Sequence, residues 1–276
     1  MDILKVKLDI NFKKVFADEN NKAPLISLLS AFLNVREEDI HSVEITNNEL
    51  APDFYDGKLS RLDLRVVVDG RLVNIEMQIC PYEDYAPRAL FYWSRLFANS
   101  LKKGESYDKL PQTISINIIN FNMFDGADVI STFEIIETKR GFTLTDKLRM
   151  FFVELPKLKG KEIDLNDKLE RWLRFINAES EEELIMLEKE NDGTLNNAIQ
   201  VVRYMSADDN ARYLADMREK AEYDYYAGLA KEREKGIAEG EAIGIAKGEA
   251  NIINKLKEMN VSKEIIDALE KGSSNK

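Results

Sequence analysis

The distribution of proline divides this 276-residue chain into two parts. All six prolines lie within residues 1–156, and residues 157–276 contain none. Proline breaks the interior of a helix, because it lacks an amide hydrogen and clashes with the preceding turn. The sequence therefore predicts a first domain of mixed structure at 1–160 and an α-helical C-terminal region at 161–276.

The first domain combines helical and strand patterns. Apolar residues at helical spacing fill 12–33, and a helix is expected from Pro87 to about Lys103, before Gly104. Such an order of helices and strands predicts an α/β or α+β fold. The strand-like runs are 62–68, 73–79, 113–121, 129–137 and 147–155.

A β-hairpin is the strongest local signal. Two runs of alternating apolar and polar residues flank Asp69-Gly70, a dipeptide typical of two-residue turns. Such a turn pairs Val68 with Arg71 and sets Asp63 opposite Glu76. Facing carboxylates repel each other unless a cation lies between them, and Mg²⁺ binds such carboxylates. The pattern fits either a metal site or the solvated face of an amphipathic hairpin.

The helix that follows the hairpin carries a basic and aromatic stripe. No acidic residue occurs from 86 to 103. Arginine binds phosphate through a planar fork, and aromatic rings support bases or ribose. The alternative is a solvated face opposite a buried side of Leu90, Phe91 and Leu101. The stripe consists of Arg88, Tyr92, Arg95, Asn99 and Lys102.

Scarce residues exclude several chemistries. His41 is the only histidine, which rules out sites that need two, and Cys80 is the only cysteine, which rules out an intramolecular disulfide. The longest apolar run, 25–33, is too short to span a membrane. A cytoplasmic protein without membrane contact is expected, since no secretory signal pattern opens the sequence.

The net charge of −11 argues against nucleic-acid binding through bulk charge alone. Residues 161–276 account for −8 of that total and residues 1–160 for −3. The first domain is therefore close to neutral, and a local basic surface within it remains compatible with DNA binding.

The ordered motifs of the first domain resemble the PD-(D/E)XK nucleases. More closely, they are similar to the bacterial Rpn family of recombination-promoting nucleases, which are also described as PD-(D/E)XK nuclease family transposases. The segment 169–173 and the glycine-repeat tail are typical of that family too. The matching stretches are 9–16, 58–63, 74–78, 88–92, 104–107 and 152–157.

This resemblance implies a restriction-endonuclease-like core, with a central mixed sheet flanked by helices. It implies a Mg²⁺ or Mn²⁺ ion held by Asp63 and Glu76. Asp9 matches a supporting acidic position, although N-capping of the first helix explains it equally well. The phosphate side of the DNA cleft is assigned to Lys58, Arg88, Tyr92 and Arg95.

Gln78 occupies the position at which the superfamily pattern has lysine. Glutamine carries no charge and is not a base, but it can orient an attacking water by hydrogen bonding. The expected function is a metal-dependent DNA endonuclease that hydrolyses phosphodiester bonds, linked to recombination or transposition. The alternative is a catalytically weak or inactive nuclease-like module that binds DNA or protein and oligomerises through its helical tail.

The tail contains four glycines at intervals of four residues, from Gly236 to Gly248, within a helix expected at about 228–250. Glycine inside a helix costs about 1 kcal/mol relative to alanine. A stripe of small residues allows another helix to approach closely. The sequence therefore predicts a homo-oligomer that forms through the C-terminal helices.

Overall fold

The structure is a computed structural model that describes residues 3–46, 49–50, 60–61, 64–81, 84–190, 192–259, 261–262 and 264–266. The chain forms two compact units, Met1–Glu222 and Tyr223–Lys276. Two of the predicted site residues, Lys58 and Asp63, lie outside the described residues. Within the described ranges, no helix is both long enough and apolar enough to cross a membrane.

Helices and strands are both present in the first 160 residues, and every described element after residue 160 is a helix. The helices are α1 (Asp9–Phe16), α2 (Ala23–Leu33), α3 (Tyr85–Ala98), α4 (Lys168–Asn177), α5 (Glu181–Glu188), α6 (Gly193–Ala207) and α7 (Asp209–Glu258). The strands are β1 (Val43–Thr46), β2 (Glu49–Leu50), β3 (Ser60–Arg61), β4 (Leu64–Val68), β5 (Arg71–Gln78), β6 (Thr113–Ile119), β7 (Ile130–Phe133) and β8 (Leu148–Glu154).

Six of these strands form one mixed sheet in the order β1-β4-β5-β6-β8-β7, and β2 pairs with β3 separately. Strands β5, β6 and β8 run parallel to one another, whereas the pairs β1-β4, β4-β5 and β7-β8 are antiparallel. Every residue of β6 is buried. A central parallel strand covered on both faces has this burial pattern.

The predicted hairpin is confirmed by strands β4 and β5. Val68 pairs with Arg71, and the same register continues to Leu64 opposite Ile75. The turn residues Asp69 and Gly70 have φ values of 47° and 78°, as a type I′ turn requires. The part of this ladder that the structure describes ends at Leu64, the residue that follows Asp63 in the sequence.

Helices cover both faces of the sheet. Phe32 of α2 lies 5.6 Å from Phe151 between ring centroids, and Tyr85 of α3 lies 6.2 Å from Phe152. Successive residues of a strand point to opposite faces, so α2 and α3 pack on opposite sides. The expected arrangement of a central mixed sheet flanked by helices is confirmed.

The helices after residue 160 supply part of the core of the first unit. Trp172 of α4 is fully buried, packs 5.5 Å from Phe16 between ring centroids, and donates to the Ser27 hydroxyl at 3.1 Å. The predicted division near residue 160 therefore falls inside this unit, because α4 and α6 cover α1 and α2.

Helix α3 begins two residues before the predicted start and ends five before the predicted end. Pro87 is its third residue, where the missing amide hydrogen breaks no helical bond. The helix ends at Ala98 and is followed by a turn at Asn99 and Ser100, in which the Ser100 hydroxyl donates to the Phe97 carbonyl oxygen at 2.6 Å. Gly104 lies in a later turn with a φ of 89°.

Candidate active site

A polar cleft opens between α3 and the central strands β5 and β6. Its open space, including the solvent at its mouth, is about 270 Å³. All of its lining residues except one alanine carry a polar side-chain atom, so the cleft suits a polar ligand. The lining residues are Asn74, Glu76, Gln78, Tyr85, Arg88, Ala89, Tyr92, Ser115 and Asn117.

Strand periodicity brings these side chains together. Asn74, Glu76 and Gln78 alternate along β5 with buried apolar residues, so they share one face of the sheet. The parallel register sets Asn74 beside Ser115 and Glu76 beside Asn117. The same face of β5 and β6 thus forms the polar floor of the cleft.

Glu76 and Asn74 are joined by a hydrogen bond. The Asn74 side-chain Nδ2 donates to Glu76 Oε1 at 2.9 Å. Asn74 is only 4% exposed, and its Oδ1 is buried with no hydrogen-bond partner among the described residues. Glu76 is half-buried and is the carboxylate of the described cleft lining. Glu76 and Asn74 together place several oxygen atoms at the base of the cleft.

The described residues contain no group of three or more histidine, cysteine, aspartate or glutamate side chains close enough to share a metal ion. The oxygen donors at this position nevertheless match what Mg²⁺ and Mn²⁺ take in proteins, namely one or two carboxylates with the remaining positions left to water. Glu76 supplies one such carboxylate. The predicted second ligand, Asp63, lies outside the described residues, so the pairing of the two remains a prediction.

The amide of Gln78 is held by its own strand end. The side-chain Nε2 of Gln78 donates to the Cys80 carbonyl oxygen at 3.0 Å. The main-chain carbonyl oxygen of Gln78 accepts from the Asn120 amide N–H at 2.9 Å. Burial raises the pKa of the neighbouring Cys80 thiol, and the negative charges of Glu222 and Glu219 raise it further. This thiol is therefore protonated near neutral pH and is not a nucleophile.

A buried hydrogen-bond network lies beneath the cleft. The Tyr85 hydroxyl donates to Asn117 Oδ1 at 3.3 Å, and Asn117 Nδ2 donates to Ser115 Oγ and to the Phe151 carbonyl oxygen, each at 3.1 Å. Neither Ser115 nor Asn117 was singled out from the sequence. The available signal was the alternation of three polar residues, Thr113, Ser115 and Asn117, with isoleucines along β6.

Two residues of the predicted stripe, Arg88 and Tyr92, face the cleft, whereas Asn99 and Lys102 follow the end of α3 at Ala98. Arg88 Cζ lies 5.3 Å from the centre of the Tyr92 ring, and Arg95 lies 5.8 Å from the Phe91 ring further along the helix. The alternative that buries Leu90 and Phe91 is wrong, because these residues are 50% and 53% exposed. The helix instead buries Tyr85, Ala89 and Leu96 against the sheet.

Asp9 lies at the start of α1 and forms an ion pair with Arg218 of α7. Arg218 donates to both carboxylate oxygens, at 2.9 and 2.8 Å. Asp9 is not the N-cap residue, which is Leu8, and it is not among the described residues that line the cleft. Its role as a supporting acid stays a prediction.

Comparison with known proteins gives one family. A model of the family described as PD-(D/E)XK nuclease family transposase matches residues 6–232. Neither curated proteins nor solved structures give a significant match. The matched region covers most of the chain and contains both the mixed sheet and the cleft, and the sheet with its flanking helices fits a restriction-endonuclease-like fold. The chain therefore belongs to the PD-(D/E)XK nuclease family transposases.

Proposed function

We propose that this protein is a metal-dependent DNA endonuclease that hydrolyses phosphodiester bonds in recombination or transposition. The observation that carries the proposal is the half-buried Glu76 carboxylate in a polar cleft of a PD-(D/E)XK family member. The family supports a nuclease role. Metal dependence and cleavage within a DNA chain are the further steps of this proposal.

Glu76 and Asp63 would hold the metal ion, Mg²⁺ or Mn²⁺. Such an ion, when bound, supplies a water of lowered pKa and stabilises charge on the phosphate. Gln78 lies two residues from Glu76 on the same face, and its amide is fixed by the bond to Cys80. It orients the attacking water by hydrogen bonding and does not remove its proton.

The DNA side of the cleft is assigned to Arg88, Tyr92 and Arg95 on α3, together with Lys58. Arg88 and Tyr92 lie on the cleft wall opposite the strand that carries Glu76. An arginine fork donates to phosphate oxygens, and an aromatic ring gives a surface for a base or ribose. This local basic surface supports DNA binding in a chain whose total charge is negative.

Cleavage of supercoiled plasmid DNA tests this function. We expect the full chain to cut in Mg²⁺ and to stop when a chelator is added, and Glu76→Gln or Asp63→Asn to abolish cutting while the circular dichroism spectrum is retained. Glu44→Gln is the matched control, since Glu44 is an exposed strand glutamate outside the cleft. Undiminished cutting by Glu76→Gln would refute the assignment.

The presence of Gln78 favours a second candidate, a nuclease-like module that binds DNA or a protein without cutting. An ammonium at this position would stabilise developing negative charge, and an amide does not. The plasmid assay separates the two candidates. Binding of DNA by the wild-type chain without any metal-dependent cleavage would favour the binding module.

We further propose that the protein acts in the cytoplasm as a homo-oligomer formed through its C-terminal helices. In α7, Gly236, Gly240, Gly244 and Gly248 face open space, and Ile243 and Ile245 are 55% and 64% exposed. Burial of such apolar side chains against another copy is favourable. Size-exclusion chromatography with light scattering measures the number of chain copies per particle. We expect fewer copies for a variant that ends at Lys235 than for the full chain. An unchanged number of copies would oppose the proposal.

A further inference from the structure

We infer that Asn74 is a positioning residue that holds the Glu76 carboxylate and offers its own side-chain oxygen to a water in the same site. The inference rests on the proposed metal-dependent function and deepens it. Neither the alternation of the hairpin nor the D…(D/E)-x-K pattern assigns a role to this asparagine.

The first observation is the direct bond between the two side chains. Asn74 Nδ2 donates to Glu76 Oε1 at 2.9 Å, and both side chains leave β5 on the face that lines the cleft. A carboxylate that accepts a fixed hydrogen bond has fewer orientations available. Partners of this kind orient metal ligands, and their loss typically weakens metal binding about 10- to 100-fold.

The second observation is the unpaired oxygen of the same amide. Asn74 Oδ1 is buried and accepts no hydrogen bond from the described residues. A buried acceptor without a donor destabilises a fold, so an oxygen left in this state needs another explanation. Its place in the lining of a polar cleft, beside the carboxylate, points to a donor that enters with the ligand.

The neighbouring asparagine shows what a purely structural amide looks like here. Asn117 is fully buried and lies on the adjacent strand. Its oxygen accepts from Tyr85, and its nitrogen donates to Ser115 and to the main chain of Phe151. Asn117 is satisfied within the fold, whereas Asn74 uses its nitrogen on Glu76 and leaves its oxygen to the cleft.

The donor that fits Asn74 Oδ1 is a water molecule. A divalent ion on Glu76 would keep several waters, because Mg²⁺ and Mn²⁺ complete their coordination with solvent when few carboxylates are present. A water held between the ion and Asn74 Oδ1 would satisfy the buried oxygen. Asn74 thus acts on the site through Glu76 and through bound water.

Calorimetric titration of the full chain with manganese alone tests this inference. Asn74→Leu keeps the approximate volume and removes both polar atoms, and Asn74→Ala repeats the removal with a smaller side chain. We expect each variant to bind Mn²⁺ about tenfold more weakly. We also expect the melting temperature of Asn74→Leu not to fall, because this variant keeps the approximate volume and removes a buried unpaired oxygen.

Asn196→Leu is the matched control. Asn196 on α6 also has a buried side-chain oxygen without a partner among the described residues, and it does not line the cleft. Its replacement should leave Mn²⁺ affinity unchanged. Equal Mn²⁺ affinity in the Asn74 variants and the wild type would overturn the inference. A fall in melting temperature in both Asn74 variants, beyond that of Asn196→Leu, would make the amide structural and overturn it as well.

The Glu76→Gln variant separates this inference from the proposed function. If Glu76→Gln binds Mn²⁺ as the wild type does, the proposed metal site is wrong. If Glu76→Gln loses binding and the Asn74 variants keep it, only the role of Asn74 is wrong.

Discussion

Gln78 donates its side-chain amide to the main-chain carbonyl oxygen of Cys80 at 3.0 Å. This bond spans the end of β5 and fixes the side chain that stands at the lysine position of the superfamily pattern. It uses the nitrogen of the amide, so the oxygen is the group left for the cleft. Gln78 is therefore suited to accept a hydrogen bond from water.

Replacement of Gln78 with leucine should lower the rate of metal-dependent DNA cleavage by about 10- to 100-fold. The reason is that leucine cannot orient the water, although Glu76 remains. Single-turnover cleavage measures this effect. Gln112→Leu is the matched control, because Gln112 also donates to a main-chain carbonyl, that of Asp146 at 2.8 Å, but lies outside the cleft. Equal rates for Gln78→Leu and the wild type would remove Gln78 from the site.

Replacement of Arg88 with alanine should weaken DNA binding and its dependence on salt. Each lost phosphate contact reduces the slope of log affinity against log salt by about 0.9. Binding is measured by fluorescence anisotropy over a series of salt concentrations, in a Glu76→Gln background that leaves the DNA intact. Arg140→Ala is the control, since Arg140 also packs on a ring, 4.9 Å from that of Phe142, away from the cleft. Equal slopes for Arg88→Ala and Arg140→Ala would contradict the assignment.

The stability of the first unit should depend on pH through Arg203. Hydrogen bonds from Arg203 lower the pKa of Glu188 below its ordinary value of 4.5. A carboxyl with a lowered folded-state pKa stabilises the fold above that ordinary value, and the effect is lost as the pH falls through the folded pKa. Arg203→Met should therefore lower the melting temperature by about 2 °C at pH 7, and by less below pH 4.5. A difference that stays constant down to pH 3 would contradict this linkage.

Local patterns were sufficient to predict the elements that build the site. The Asp69-Gly70 turn and the alternation around it fix the β4-β5 register, because turn geometry and strand period act over a few residues. The proline-free C-terminal region folds as helices for a similarly local reason. The family resemblance then assigned Glu76, which the structure places in the cleft.

Contacts between distant residues could not be predicted in this way. Asp9 and Arg218 pair across 209 residues of sequence, and Trp172 reaches Ser27 across 145. The sequence around these residues does not indicate their partners, because the packing of whole helices brings each pair together. Asn74 was missed for a different reason, because its bond to Glu76 depends on side-chain conformations within one strand face.

The position of the metal ion tests the central claim most directly. Iron(II) with ascorbate and peroxide, bound in place of Mg²⁺, generates radicals that cut the protein backbone near the ion, and mass spectrometry locates the cuts. The account predicts cuts in β5 around Glu76 and in β6 around Asn117, and their loss in Glu76→Gln. Cuts elsewhere in the chain, or an unchanged pattern in Glu76→Gln, would contradict a metal centre in this cleft.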